Sequence, residues 1–67
     1  MSLLIIKHNS ILEGKLQQMY RQSVGHTWQG FIKGLDSNII WVQLCMWDTE
    51  IEFKDEMHKT WFILRWS

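Results

Sequence analysis

The stretch 39–47, Ile-Ile-Trp-Val-Gln-Leu-Cys-Met-Trp, running straight into 48–54, Asp-Thr-Glu-Ile-Glu-Phe-Lys, decides how this chain is read. Residues 39–47 are β-branched, aromatic and aliphatic with no helix breaker, so they predict a strand. Ile40, Val42, Leu44 and Met46 fall on one face of it. Ile39, Trp41, Cys45 and Trp47 fall on the other, where only Gln43 is polar. Apolar residues on both faces are the pattern of a strand covered from two sides. Residues 48–54 alternate instead: Thr49, Ile51 and Phe53 point inward, while Asp48, Glu50, Glu52 and Lys54 point to water.

Working outward, residues 27–33 also alternate, with Trp28, Gly30 and Ile32 opposite Gln29, Phe31 and Lys33, and predict another strand. The Gly34-Leu35-Asp36-Ser37-Asn38 run between them is turn chemistry. On the far side, 55–59 is polar enough for a turn, and 60–66 (TWFILRW) reads as a last strand interrupted only by Arg65. Toward the beginning, Ser10 and Glu13 have capping-box spacing. Leu12, Leu16, Met19 and Tyr20 then share one helical face, which predicts a helix over 10–24 with Gly25 as its stop. Before it, residues 3–7 (LLIIK) read as a strand.

The expected fold is therefore α+β: an N-terminal strand and one amphipathic helix, followed by a four-stranded antiparallel meander. The meander either curls into a small SH3- or Sm-like barrel or lies as a sheet covered by the helix. The alternative is a second helix at 48–58, giving the ferredoxin-like order βαββαβ. Ile51, Phe53 and Met57 would make a poor stripe for that helix, so the strand is preferred.

Sixty-seven residues, taken over 1–67, make one small domain. A core of this size yields only a few kcal/mol, so such scaffolds usually need a staple. The single cysteine excludes an internal disulfide, and the scattered His8, His26 and His58 show no zinc spacing. Packing and self-association are left, and the tryptophan content supports both. Trp28, Trp41, Trp47, Trp61 and Trp66 are too many for so short a chain to surround, and each buries on the order of 150–250 Å² when covered.

The net charge is zero but unevenly placed. Lys7, Lys15, Arg21 and Lys33 against Glu13 make residues 1–33 net +3. Lys54, Lys59 and Arg65 against Asp36, Asp48, Glu50, Glu52, Asp55 and Glu56 make residues 34–67 net −3. The short apolar run at 2–6 is no signal sequence, no stretch approaches the roughly 20 apolar residues of a membrane span, and the free thiol suits a reducing compartment. A cytoplasmic protein without membrane association is expected.

Residues 25–36 read G-H-T-W-Q-G-F-I-K-G-L-D. This segment resembles the first Sm motif of the Sm/Lsm/Hfq-type small β-barrel family, with Gly25, Trp28, Gly30, Ile32, Leu35 and Asp36 at the motif positions. Phe53-Lys54-Asp55 followed by Met57 loosely resembles the second motif. Ile40 stands where the family has asparagine, Asn38 lies two residues early, and the segment before Gly25 is polar rather than strand-like. The resemblance implies a ring-forming, RNA-binding protein. It places Asp36 and Asn38 near one nucleotide-binding loop and Lys54 near the second.

Chemistry-bearing constellations are sparse. Cys45, mid-strand between Leu44 and Met46, reads as a buried structural cysteine; His26 reads as a turn histidine. The glycines at 14, 25, 30 and 34 fit no phosphate loop. No catalytic set, metal site or cofactor is expected. Asp48, Glu50, Glu52, Asp55 and Glu56 form a candidate acidic contact surface, with a solvated strand face as the plain explanation. Trp41, Trp47, Trp61, Trp66, Phe31 and Arg65 are candidates for an interface with a partner or a second copy, against the alternative that they fill the core. The expected function is a non-enzymatic, protein-binding module that dimerises, such as a stoichiometric inhibitor or adaptor of the kind phages and mobile elements encode. The alternative is an Sm/Hfq-like RNA-binding ring.

Overall fold

The structure, a computed structural model, describes residues 1–66. It runs β1 (Ser2–Ile6), α1 (Ile11–Arg21), α2 (Trp28–Gly34), β2 (Ile39–Cys45), β3 (Asp48–Phe53) and α3 (Glu56–Trp66). The strands form one antiparallel sheet in the order β1-β3-β2. The fold is α+β, with three helices and a three-stranded sheet among the described residues. Among the described residues only two of the four expected meander strands form, and neither the barrel nor the ferredoxin-like order does.

Two expected strands are helices. In α2 the side chain of Thr27 caps the first turn by accepting from the Gly30 N–H at 3.1 Å. Trp28, Phe31, Ile32 and Leu35, at i, i+3, i+4 and i+7, all pack on the core. The same residues satisfy a period of two over a few positions, but only the helical period brings Phe31 and Leu35 to the same side as Trp28 and Ile32. The segment 55–66 is likewise helical. Asp55 accepts from the His58 N–H at 2.9 Å, and so supplies a helix start within the polar segment whose composition suits a turn. Phe62 and Trp66, one turn apart, then reach the core and override the β propensity of the Trp-Phe-Ile-Leu run.

The helix α1 forms as its capping signal predicts. Glu13 N–H donates to Ser10 Oγ at 3.1 Å, while the Glu13 carboxylate accepts from the Asn9 N–H at 2.9 Å, one residue upstream of the position a capping box uses. Leu16 is fully buried. Gly25 adopts φ +82° in the connection to α2, a conformation that favours glycine.

The strand β2 departs from strict alternation. Its register against β3 slips between Ile39 and Trp41, so Ile40 is the extra residue of a β-bulge. The bulge turns both Ile39 and Val42 inward and sends Trp41 to the opposite face. Lys33 of α2 fixes this geometry: its Nζ donates to the carbonyls of Ile39 and Ile40 at 3.1 and 3.0 Å. Beyond Cys45 the chain reverses through Met46 and Trp47, with Met46 at φ +56°, a position where hairpins usually place glycine or asparagine.

A single core results. Ile6, Ile39, Val42, Ile51 and Phe53 from one sheet face meet Leu16, Ile32 and Phe62 from the three helices. All three helices therefore cover the same side of the sheet, and among the described residues the opposite side carries no layer of its own. Ser2, buried at the start of β1, donates its hydroxyl to the Glu56 carboxylate and so ties β1 to the first turn of α3.

Candidate interaction surface

Cross-strand pairing dictates what the uncovered face contains. Opposed residues point the same way, so β1, β3 and β2 contribute the row Leu3–Glu52–Trp41 and, beside it, Ile5–Glu50–Gln43. A third, shorter row joins Asp48 to Cys45. The result is a column of carboxylates down the central strand, flanked by apolar side chains. Leu3 is 44 %, Ile5 45 % and Trp41 49 % exposed. Asp48 is neutralised by Lys7, whose Nζ lies 3.3 Å away. Glu50 and Glu52 are half-buried and enter no ion pair among the described residues.

The remaining candidate residues are dispersed. Trp47 is 75 % exposed at the hairpin tip and touches the His8 ring, centroid to centroid, at 5.8 Å. Trp61 is 56 % exposed on the outer side of α3, where Met57 and Leu64 are also exposed. Phe31 is half-buried in an aromatic cluster with Tyr20 and Trp28, at 5.5 and 6.1 Å. Trp66 packs on Phe62, and its buried Nε1 meets no acceptor among the described residues; the exposed Arg65 guanidinium lies 5.2 Å from its ring. These candidates therefore do not share one face: Trp41 lies on the uncovered side of the sheet, Trp47 at the hairpin tip, Phe31 on α2, and Trp61, Arg65 and Trp66 on α3. Cys45 is exposed rather than buried, since the bulge turns its face outward.

The acidic residues also divide. Only Asp48, Glu50 and Glu52 belong to the sheet face. Asp55 caps α3 and lies 2.7 Å from His58 Nδ1, and Glu56 is held by Ser2 and approached by Lys59. Asp36, Asn38 and Lys54, the residues that the Sm resemblance singles out, gather at one end of the sheet. Asp36 Oδ1 accepts from the Asn38 backbone N–H at 2.9 Å, and Lys54 N–H donates to the Asn38 carbonyl at 3.0 Å. Asp36 is thereby engaged in its own turn, and the segment 25–36 that carries the resemblance comprises a turn, α2 and its C-cap.

Two carboxyls are held below the usual aspartate range. For Asp48 the main cause is the His8 backbone N–H donating to it, helped by Lys7 and opposed by partial desolvation. For Asp55 it is the His58 backbone N–H, then the His58 ring. A carboxylate with a lowered folded-state pKa stabilises the fold above the ordinary aspartate value and loses that contribution as pH falls through the folded value. Stability is therefore expected to decline below about pH 4. Asp55→Asn keeps a good capping side chain but removes the charge. Its urea midpoint should fall less steeply than the wild type's between about pH 5 and 2.

A small cleft of about 230 Å³, lined by Ser23, His26, Gly30, Phe31, Gly34 and Leu35, lies beside α2. It is smaller than the roughly 300–1,000 Å³ typical of small-molecule sites. Among the described residues no group of three or more His, Cys, Asp or Glu side chains is placed to hold a metal ion, and no helix is long and apolar enough to cross a membrane. Compared with known proteins, the chain matches no family model, no curated protein and no solved structure.

Proposed function

We propose that this protein is a non-enzymatic binding module that self-associates and acts on another protein as a stoichiometric inhibitor or adaptor. One observation carries the reading: a sheet face that no layer covers among the described residues, on which Leu3, Ile5 and Trp41 flank the carboxylates of Glu50 and Glu52, unpaired among those residues. Exposed apolar patches of this kind mark interaction surfaces. Half-buried acids inside them favour a partner that brings Lys or Arg within an apolar frame, since a charge-assisted pair offsets the desolvation of both groups. The Trp41 indole supplies an aromatic anchor of the type that dominates binding energy in such patches.

The Sm-like alternative predicts different behaviour, and one experiment separates the two. Size exclusion with light scattering is run at low and high salt, with absorbance read at 260 and 280 nm. A nucleic-acid-free monomer overturns the self-association, and a nucleic-acid-free dimer is the expected result. It would be followed by affinity capture with the wild type and with Trp41→Ala/Glu50→Lys/Glu52→Lys; a protein retained by the first and lost by the second supports the assignment. A six- or seven-membered ring carrying nucleic acid at low salt overturns it in favour of RNA binding.

A further inference from the structure

We infer that a second copy of this chain docks edge to edge on β1, extending the sheet across a two-fold axis at Leu4. This inference rests on the self-association part of the reading above and specifies its geometry.

The backbone groups of β1 point the right way for such pairing. Lys54 N–H donates to the Asn38 carbonyl across the β2–β3 ladder. Backbone groups alternate sides along a strand, so Lys54, Glu52 and Glu50 turn theirs toward β2, and Phe53, Ile51 and Thr49 turn theirs toward β1. Their partners Ser2, Leu4 and Ile6 are thus satisfied within the sheet. The N–H and C=O groups of Leu3 and Ile5 point outward from the free edge of β1. Among the described residues none of these four groups has a hydrogen-bond partner.

The two edges of the sheet also differ in protection. Natural sheets protect edges with bulges, charges and covering side chains. The β2 edge has all of these: the Ile40 bulge, and the Lys33 ammonium on the Ile39 and Ile40 carbonyls. Over Ser2–Ile6 the β1 edge carries no charge, no proline and no bulge. An edge free on one side only cannot propagate head to tail. Pairing β1 with β1 of a second copy is isologous and closes as a dimer.

The register follows. With the axis at Leu4, each Leu3 faces Ile5 of the second copy as a hydrogen-bonded pair, and all the outward groups of both strands are satisfied. The Leu4 pair is then a non-hydrogen-bonded pair, whose Cα atoms lie about 4.5 Å apart. A shift that centred on Ile5 would bring Leu3 against Lys7 and leave charge in the ladder. On the uncovered face, Leu3 and Ile5 of the two copies merge into one apolar block. The two Glu50/Glu52 columns are then three strand spacings apart, about 14 Å, beyond the screening length of roughly 8 Å at physiological salt. Stacking the two faces on each other would instead oppose those columns, which argues for the edge.

The test uses Ile5→Pro in the full chain. Proline removes the outward N–H without touching the internal ladder, a placement that an edge strand tolerates. Wild type and variant are compared by sedimentation equilibrium at low and high salt, with far-UV circular dichroism to confirm folding. Edge pairing predicts a wild-type dimer that persists at high salt and a folded variant that dimerises about 10- to 100-fold more weakly, two hydrogen bonds being lost per dimer. A wild type that stays monomeric overturns self-association itself. A dimer unaffected by Ile5→Pro, or one that dissociates at high salt, overturns edge pairing alone. Leu4→Cys in a Cys45→Ser background is the second probe, for use if proline unfolds the chain. The Leu4-centred register predicts a disulfide-linked dimer on mild oxidation, and failure to cross-link a folded dimer overturns it.

Discussion

Phe53→Ala is expected to abolish the folded state at 25 °C. Phe53 is fully buried on the central strand, opposed by Ser2 on one side and Ile39 on the other, and its ring centroid lies 5.2 Å from that of Phe62. It is the point at which β1, β2, β3 and α3 meet. Truncating a buried phenylalanine costs about 3–5 kcal/mol, because the transfer term and the cavity term add. A scaffold of this size without disulfide or metal has about 3–5 kcal/mol of net stability to lose. Far-UV circular dichroism and urea titration should show a cooperative transition in the wild type and none in the variant. Phe53→Leu, which refills most of the volume, should cost about 1–2 kcal/mol and retain a transition at lower urea. If Phe53→Ala remains cooperatively folded, the core is not organised around this ring.

The second large effect separates the tryptophans. Trp28→Ala is expected to cost about 3–5 kcal/mol, whereas alanine at Trp41, Trp47 or Trp61 should change stability by less than about 1 kcal/mol. Trp28 is half-buried, meets Tyr20 edge-on at 5.3 Å and stacks on Phe31 at 6.1 Å. Its Nε1 donates to the buried Thr49 hydroxyl at 2.9 Å, joining α2 to the central strand. Trp28→Phe keeps most of the ring contacts and removes only that donor, and should cost about 1–3 kcal/mol. Urea midpoints of the single variants provide the comparison. Equal losses at Trp28 and Trp41 would contradict the assignment of Trp28 to the scaffold and Trp41 to the surface.

How much was legible in the sequence varied element by element. The strand β3 was readable because Thr49, Ile51 and Phe53 alternate with charged residues, and no helical stripe can be drawn through them. The helix α1 was readable because its cap and its stripe agree. The segment around Trp28 satisfies two periods at once over seven residues, and Thr27 as a cap is a weaker signal than the serine–glutamate pair before α1. In α3 the β-forming run 60–66 conceals a start signal that lies upstream, at Asp55. The bulge at Ile40 has no local signature. It depends on Lys33, seven residues away, and it alone decides that Trp41 faces outward. The uncovered face was accordingly only half legible: Glu50 and Glu52 were visible from alternation, but Leu3 and Ile5 join them only through a pairing with β3 across nearly the whole chain.

That pairing has a consequence for the order of folding. The β2–β3 hairpin closes through Met46 and Trp47, a local event on the microsecond scale. By contrast, β1 must wait for residues some 43–51 positions downstream, and its closure entropy is repaid only once β3 exists. The N-terminal strand therefore docks after the hairpin. Until it does, the inner edge of β3 stands vacant beside an apolar tail that fits it, whether that tail belongs to the same molecule or to a neighbour. At high concentration this is the route to strand exchange between chains.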